Sequence, residues 1–160
     1  MRIGVIGDTH GDIHSIKQAV GAIGPVDLWM HTGDFFRDAL VLGTFVDVPV
    51  TSVAGNCDGR VDAKADEFVE MAGYQIWLTH GHRHGVKQNL KDLRDWAQRY
   101  EADIVVFGHT HQPESIVEKG LLLFNPGSCS MPKRGKSRTC GMIDLMPERQ
   151  GIFPHIISIP

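Results

Sequence analysis

One unit occurs five times along this chain and constrains its fold more than any other feature. It consists of a short apolar run rich in β-branched residues, then a glycine or threonine, then polar residues able to bind a metal. The instances are RIGVIGDTHGD, VDLWMHTGD, VTSVAGNCD, YQIWLTHGH and DIVVFGHTH. Their spacing is irregular, so they do not form a solenoid repeat. Each apolar run predicts a buried strand, and the polar residues mark its end.

Helical periodicity lies between some of these runs. Residues 14–23 (HSIKQAVGAI) and 85–100 (GVKQNLKDLRDWAQRY) each place apolar side chains on one helical face. Alternating strands and helices predict a largely parallel α/β sheet, whose ligands gather at the carboxyl ends of the strands. After residue 112, four extended runs separated by glycine and proline predict antiparallel hairpins that complete a second sheet.

Composition excludes several classes of protein. The 160 residues suit a single domain over 1–160, since no linker or composition shift divides them. A net charge of −3 and a pI of 6.3 give no reason to expect nucleic acid or an anionic membrane as partner. Three cysteines without a C-x-x-C pair indicate neither a disulfide framework nor a cysteine-rich zinc site. With no signal peptide or membrane-spanning run, we expect a soluble cytoplasmic protein.

The strand ends carry a set of metal-capable side chains: Asp8, His10, Asp34, Asn56, His80, His109 and His111. Carboxylate, amide and imidazole donors without thiolate suit Mn, Fe, Ni or Zn in a catalytic site. The set is too large for one small ion but fits two ions that share a carboxylate. A single Asp or His is more often a cap or a core residue. Burying the whole set without a charge partner would be costly, which favours metal binding.

His109 and His111, the last two of these side chains, are one residue apart in the sequence. If the backbone is still extended after Gly108, His109 and His111 point to the same side, and both imidazoles can reach one spot.

Five motifs occur in a fixed order: D-x-H at Asp8 and His10, G-D at Asp34, G-N-C-D at 55–58, H-G at His80 and G-H-x-H at 108–111. In this order they resemble the calcineurin-like metallophosphoesterase superfamily. NPGS at 125–128 resembles a signature of its small bacterial and archaeal phosphodiesterase branch. Each motif alone is weak, whereas the ordered set is specific.

The resemblance implies an α/β fold with two mixed β-sheets in a sandwich flanked by helices, and a two-metal site at the strand ends. Carried over by position, one ion is held by Asp8, His10 and His111, the other by Asn56, His80 and His109, with Asp34 as the bridge. The implied activity is that of a phosphodiesterase that attacks small phosphodiesters with a metal-bridging hydroxide. The expected cofactors are two divalent ions, Mn²⁺ first, with Ni²⁺, Fe or Zn²⁺ as alternatives.

The segment Asn56, Cys57 and Asp58 is the predicted catalytic group. Many members of the superfamily have histidine where this chain has Cys57, and that imidazole is thought to assist departure of the leaving oxygen. A thiol is a weak hydrogen-bond donor and cannot readily do the same. Asp58, with no imidazole to orient, is expected to position a water or to hold the loop.

Other polar residues receive simpler interpretations. His31 is expected to be a hydrogen-bonded core residue, or one that supports a ligand. His82 and His84 could support a ligand or contact the substrate, but a mobile loop with solvated or water-bridged imidazoles is favoured. His14 and His155 are expected at structural or exposed positions. The basic run KRGKSR (133–138) favours a solvated turn, and its position after NPGS leaves open a role in steering anions.

Two other functions stay open. The same fold serves as a protein-interaction scaffold that has lost ligands, and this chain resembles the retromer subunit in size. The superfamily also contains phosphomonoesterases and protein phosphatases, which resemble a pattern with longer inserts and an R-G-N-H-E stretch where this chain reads VAGNCDGR. Short gaps between the motifs predict an open site without a cap. Apolar hairpin edges near the C-terminus suggest a homodimer.

Overall fold

Two five-stranded mixed sheets face each other in the computed structural model, which describes all 160 residues. The strands are β1 (Arg2–Ile6), β2 (Leu28–His31), β3 (Val50–Ser52), β4 (Asp66–Met71), β5 (Tyr74–Thr79), β6 (Ile104–Val106), β7 (Pro113–Glu118), β8 (Leu121–Pro126), β9 (Thr139–Met146) and β10 (Gly151–Ser158). The helices are α1 (Ile13–Ile23), α2 (Phe36–Leu42) and α3 (Lys91–Arg99), with short 3-10 turns at His82–His84 and Pro147–Arg149.

The strand order explains why polar residues collect on one side. The first sheet runs β10-β9-β1-β2-β3, with β1, β2 and β3 parallel. The second runs β4-β5-β6-β8-β7, with β5, β6 and β8 parallel. Parallel neighbours end at the same edge of a sheet, so the loops after these strands lie together.

Apolar side chains fill three layers. Between the sheets, Ile3 and Val5 of β1 pack with Ile76 and Leu78 of β5, all fully buried or nearly so. Outside the first sheet, α1 packs its buried face on Trp29, and outside the second, α3 packs on Trp77. Burying each such aliphatic side chain stabilises the fold by about 1.5–3 kcal/mol. The predicted sandwich of two mixed sheets flanked by helices is confirmed.

Two expectations about secondary structure need correction. The helix predicted over 85–100 begins only at Lys91, because Gly85 has a left-handed backbone and Asn89 Oδ1 accepts the Lys91 N–H at 2.9 Å. Val86 and Leu90 still reach the α3 core from a non-helical segment. The C-terminal hairpins do not all enter the second sheet, since β9 pairs with β1, and β10 with β9, in the first.

The helix α1 has a clear start. Asp12 precedes it and accepts the Ser15 N–H through Oδ1 at 3.0 Å, and the helix ends before Gly24, whose φ is 75°. This cap holds in place the end of the loop that carries Asp8 and His10, at the point where the loop enters α1. No helix is both long and apolar enough to cross a bilayer.

Candidate metal centre

The loops after β1, β2, β3, β5 and β6 meet on one side of the sandwich. The Asp8 N–H donates to the Gly33 carbonyl oxygen at 3.1 Å, which links the loops after β1 and β2. The Gly108 N–H donates to the His80 carbonyl oxygen at 3.0 Å, which links those after β6 and β5. The His109 N–H donates to Asp8 Oδ2 at 2.9 Å and so joins the two sheets. The strand ends of both sheets therefore form one site.

Four side chains form a first donor cluster, cluster A: Asp8, His10, Asp34 and His111. One ligand atom from each lies within 4.8 Å of the others. His10 Nε2 is 3.3 Å from His111 Nε2 and 3.9 Å from Asp34 Oδ2. His111 Nε2 is also 3.6 Å from Asp8 Oδ1. Nitrogen and oxygen lone pairs thus converge on a small volume.

A second donor cluster, cluster B, contains Asp34, His80 and His109, again within 4.8 Å. His80 Nε2 lies 3.4 Å from Asp34 Oδ1 and 3.0 Å from Asn56 Oδ1, which adds the amide oxygen to this cluster. Asp34 belongs to both clusters, with Oδ2 toward His10 and Oδ1 toward His80. The seven donors predicted from the sequence lie in these two adjoining clusters, in the grouping that the resemblance implies.

Asp8 tests whether these residues suit a cation. Its side chain is fully buried, and although Oδ2 accepts the His109 N–H, Oδ1 has no hydrogen-bond partner. Burial raises the pKa of Asp8 to about 6, against the lowering effect of His80 and His111. A buried carboxylate oxygen without a donor is costly unless a cation faces it. The donor set therefore fits a metal.

Two imidazoles are oriented for the same purpose. His80 Nδ1 lies 2.7 Å from the carbonyl oxygen of Thr32, and His111 Nδ1 lies 2.6 Å from that of Met131. A carbonyl oxygen only accepts, so each Nδ1 carries a proton and each ring turns its Nε2 toward the donor clusters. Backbone carbonyls commonly hold metal-binding histidines in this way.

Charge within the site follows from burial and neighbours. For Asp34, burial opposes ionisation, but hydrogen bonds from His80 and the Cys57 N–H outweigh it and hold the pKa well below its usual range. For His80, burial opposes the charged ring, but Asp34 and Asp8 raise the pKa. Burial, with the charge of His80, lowers the pKa of His109 to about 4. His109 is therefore neutral at pH 7, the form in which imidazole binds metals.

Left-handed backbone, which L-residues rarely adopt, is concentrated in this site. The φ angles of Asp8, His10, Asp34, His109 and His111 lie between 48° and 69°. The condition of an extended backbone at His109 and His111 is therefore not met, because β6 ends at Val106 and the chain turns before both residues. Because the chain turns here, His109 lies in cluster B and His111 lies in cluster A.

Glycines permit the close approach of these loops. A Cβ on Gly55 would lie 2.2 Å from Asp34 Oδ1, and one on Gly108 would lie 2.4 Å from Thr32 Oγ1. Real Cβ atoms essentially never come this near, so any side chain at either position would push Asp34 or Thr32 away.

The predicted catalytic segment divides into two parts. Asn56 and Cys57 are exposed, and the Cys57 N–H donates to Asp34 Oδ1 at 2.9 Å. Burial and the nearby Asp34 carboxylate raise the pKa of the Cys57 thiol. Asp58 points inward, where its two oxygens accept the Phe36 and Gly55 N–H groups at 2.5 and 2.7 Å. Asp58 thus holds the loop.

A buried chain of hydrogen bonds beneath cluster A was not predicted from the sequence beyond the supporting position of His31. His31 Nδ1 accepts the Gly33 N–H at 3.2 Å, its Nε2 lies 2.9 Å from Thr9 Oγ1, and Thr9 donates to Asp38 Oδ2 at 2.5 Å. Asp38 also accepts the Gly11 N–H at 2.8 Å. The chain ties the loop carrying Asp8 and His10 to the loop carrying Asp34. The one sequence feature that could have indicated this hydrogen-bonded chain is Thr9, the polar residue between Asp8 and His10 in the D-x-H motif.

The NPGS segment supports the site from the other side. The Asn125 amide donates to the Gly108 carbonyl oxygen at 3.1 Å, and Ser128 Oγ donates to that of Asp8 at 2.8 Å. Both side chains are fully buried. Their role is to fix two of the metal-centre loops.

The HGHRHG segment contains His80, His82 and His84. For His84 the expectation of a solvated ring is wrong. That ring is buried, contacts Trp77 edge-on, and places Nδ1 2.6 Å from Asp92 Oδ2. His82 is half-buried, with its ring 5.2 Å from that of His80. His14 and His155 are exposed, as expected. In the basic run, the Lys133 N–H donates to the His111 carbonyl oxygen at 3.1 Å, close to the site.

Comparisons with known proteins agree with this geometry. The chain is 33% identical over 148 residues to the probable metallophosphoesterase YsnB of Bacillus subtilis, covering 91% of this chain and 85% of YsnB. It is 38% identical over 103 residues to the phosphodiesterase YfcE of Escherichia coli, covering 59% of this chain and about half (52%) of YfcE.

Among solved structures, the fold is similar to that of Vps29 from Entamoeba histolytica complexed with zinc, with a TM-score of 0.75, 20% identity and 99% of each chain covered. At this identity the likeness concerns the fold alone. The sequence model of the calcineurin-like phosphoesterase superfamily domain matches residues 1–147. This chain therefore belongs to the calcineurin-like phosphoesterase superfamily.

Proposed function

We infer that this protein is a phosphodiesterase that hydrolyses small phosphodiesters with two divalent metal ions. The observation that carries the proposal is Asp34, whose two oxygens face different donor clusters. Asp8, His10 and His111 would hold one ion, and Asn56, His80 and His109 the other, with Asp34 shared. When bound, such ions offset the charge that develops on phosphoryl oxygens and make a water molecule acidic near neutral pH.

The remaining residues of the site act through position and charge. Thr32 and Met131 orient two imidazoles through their carbonyl oxygens, and neutral His109 adds a lone pair. The Asn56 amide, exposed at the rim, can donate to a phosphoryl oxygen while its Oδ1 faces cluster B. The Cys57 thiol has a raised pKa, so it stays protonated at neutral pH and lends no negative charge that would repel a phosphate.

Metal choice follows from the donors. Imidazole, carboxylate and amide donors without thiolate suit Mn²⁺, Ni²⁺, Fe or Zn²⁺. We propose Mn²⁺ as the first ion to test, in the reducing cytoplasm, where the three free cysteines would stay reduced.

A substrate panel with metal analysis tests the proposal. The purified protein is assayed for bound metals and then, with Mn²⁺, for hydrolysis of bis(4-nitrophenyl) phosphate against 4-nitrophenyl phosphate. The expected result is faster turnover of the diester. Preference for the monoester would favour a phosphomonoesterase. No turnover of either ester with two ions bound would favour the scaffold alternative, which the similarity to Vps29 keeps in view.

The C-terminal hairpin supports a homodimer as a separate proposal. The edge strand β10 exposes half of the Phe153 side chain, and its outer backbone groups have no neighbouring strand. Light scattering after size exclusion tests it: a dimer mass that Phe153→Lys converts to a monomer mass is expected. A monomer mass in the wild type would contradict it.

A further inference from the structure

A cleft with a volume of about 560 Å³ opens directly beside the metal centre, with His109 and His111 in its wall. Three segments line it: residues 86–90 before α3, residues 109–112 with Glu114, and Lys133. We call it the lysine cleft. Its volume falls within the range of about 300–1,000 Å³ typical of sites for small ligands. It is large enough for one substituent of a phosphodiester whose phosphate lies at the metal centre.

The charges of the lysine cleft favour an anion. Lys87 and Lys133 come from separate segments, and neither ammonium group forms an ion pair or a hydrogen bond within the protein. The one carboxylate in the lining, Glu114, is half-buried, and burial raises its pKa. Arg94 acts on Glu114 from α3 and partly offsets its charge. The positive charge of the two lysines therefore exceeds the negative charge.

The uncharged side chains that line the cleft indicate which other chemical groups a ligand would carry. The amide groups of Gln88 and Gln112 line the cleft, and neither side chain forms a hydrogen bond within the protein. Apart from histidine, no aromatic side chain lines it, so it offers no stacking platform for a nucleobase. Free amides and free ammonium groups match a substituent with hydroxyl groups and a phosphate.

We propose that the preferred substrates are phosphodiesters in which one substituent carries a second phosphate, bound in the lysine cleft by Lys87 and Lys133. The proposal rests on the proposed function, because it assumes that the diester phosphate lies at the metal centre. Each lysine acts on the second phosphate as a point charge near a surface. Its effect on kcat/KM is about threefold, or about tenfold for both.

Three esters with one leaving group test the substrate class with Mn²⁺ present: 4-nitrophenyl thymidine 5′-phosphate, the same ester with a 3′-phosphate, and 4-nitrophenyl phosphorylcholine. The expected kcat/KM for the 3′-phosphorylated ester is about tenfold above that for the unphosphorylated one, with the cationic choline ester lowest. This preference should fall toward one in 1 M salt, where the screening length is about 3 Å. A preference for the choline ester, or equal values for the two thymidine esters, overturns the proposal.

Matched lysine variants locate the effect. The double variant Lys87→Gln, Lys133→Gln should reduce the tenfold ratio to about one. Lys136→Gln removes the same charge from the same basic loop at an exposed position outside the cleft, and should leave the ratio near ten. A ratio that persists in the double variant, or that falls equally in Lys136→Gln, contradicts binding in the cleft.

Failure of the proposed function gives a different result. If the wild type hydrolyses none of these esters and no bis(4-nitrophenyl) phosphate, the phosphodiesterase proposal fails. The cleft is then tested by calorimetry with thymidine 5′-phosphate and thymidine 3′,5′-bisphosphate in the presence of Mn²⁺. Binding of the bisphosphate about tenfold tighter, lost in the double variant, supports the cleft. Equal affinities overturn it.

Discussion

The Nδ1–H of His80 donates to the carbonyl oxygen of Thr32 at 2.7 Å, across the boundary between the two sheets. This hydrogen bond fixes the tautomer of a fully buried imidazole and turns its Nε2 toward the oxygens of the site. A backbone carbonyl directly after β2 of the first sheet thereby orients a donor directly after β5 of the second. The site depends on the packing of the two sheets as much as on the identity of its donors.

Asp34→Asn should weaken binding of both metal ions, because Asp34 is the one carboxylate that belongs to both donor clusters. The asparagine amide is uncharged, and its NH₂ group replaces a carboxylate oxygen that could bind an ion. We therefore expect at least about tenfold weaker metal affinity at each site. Metal content by mass spectrometry and Mn²⁺ titration measure the change. Asp47→Asn, which removes the same charge at an exposed position, is the control. Two tightly bound ions in Asp34→Asn would remove the shared assignment.

Asn56→Asp should retain some metal binding and shift the pH dependence of kcat. The amide cannot take up a proton near pH 7, whereas a carboxylate adds negative charge 3.0 Å from His80 Nε2. That charge makes water in the site less acidic and repels the substrate phosphate, so the rise of activity on the acidic side of the profile should move to higher pH. A pH profile of kcat for the two proteins measures it. An unchanged profile would count against direct contact of Asn56 with an ion.

His31 should make the metal-free protein less stable in acid. Burial lowers its pKa from 6.5 to about 4, so between these values the unfolded state binds the proton and the folded state does not. Stability therefore rises with pH through this window, and His31 alone should account for a loss of about 2 kcal/mol between pH 7 and pH 5. Urea unfolding of the wild type and of His31→Gln at both pH values isolates this share. Parallel losses in the two proteins would show that His31 does not cause it.

Cys57→His should raise turnover of esters with poor leaving groups. An imidazole can give a proton to a departing oxygen, an effect commonly worth about 10²–10⁴ in rate, whereas the thiol here has a raised pKa and is a weak donor. Alkyl esters should gain more than nitrophenyl esters. The test is kcat/KM against leaving-group pKa for both proteins, with Cys57→Ser as a matched control. Equal slopes would exclude position 57 from leaving-group departure.

The metal-capable side chains at the strand ends were predictable from the sequence, because their positions depend on a local sequence pattern. A β-branched run followed by glycine and a polar residue marks the end of a buried strand, and parallel strands bring such ends together. Asp8, Asp34 and His80 could thus be assigned to one edge of the fold. The helix α1 was predictable for the same reason, since the apolar periodicity of residues 14–23 is a local pattern.

Features that depend on contacts between distant residues could not be read in this way. The burial of His84 requires Trp77 and Asp92 around it, and these come from different elements. The left-handed backbone at His109 is stabilised by its N–H bond to Asp8, 101 residues away. The pairing of β9 with β1 likewise joins the two ends of the chain, and nothing in the hairpin sequence itself selects that sheet.

Crystals soaked in Mn²⁺ and measured at the manganese absorption edge test the two-metal site most directly. Two anomalous peaks roughly 3.5–4 Å apart are expected, one on each side of the Asp34 carboxylate, the first against His10 and His111 and the second against His80 and His109. One peak, or two peaks that do not share Asp34, would contradict the two-metal site.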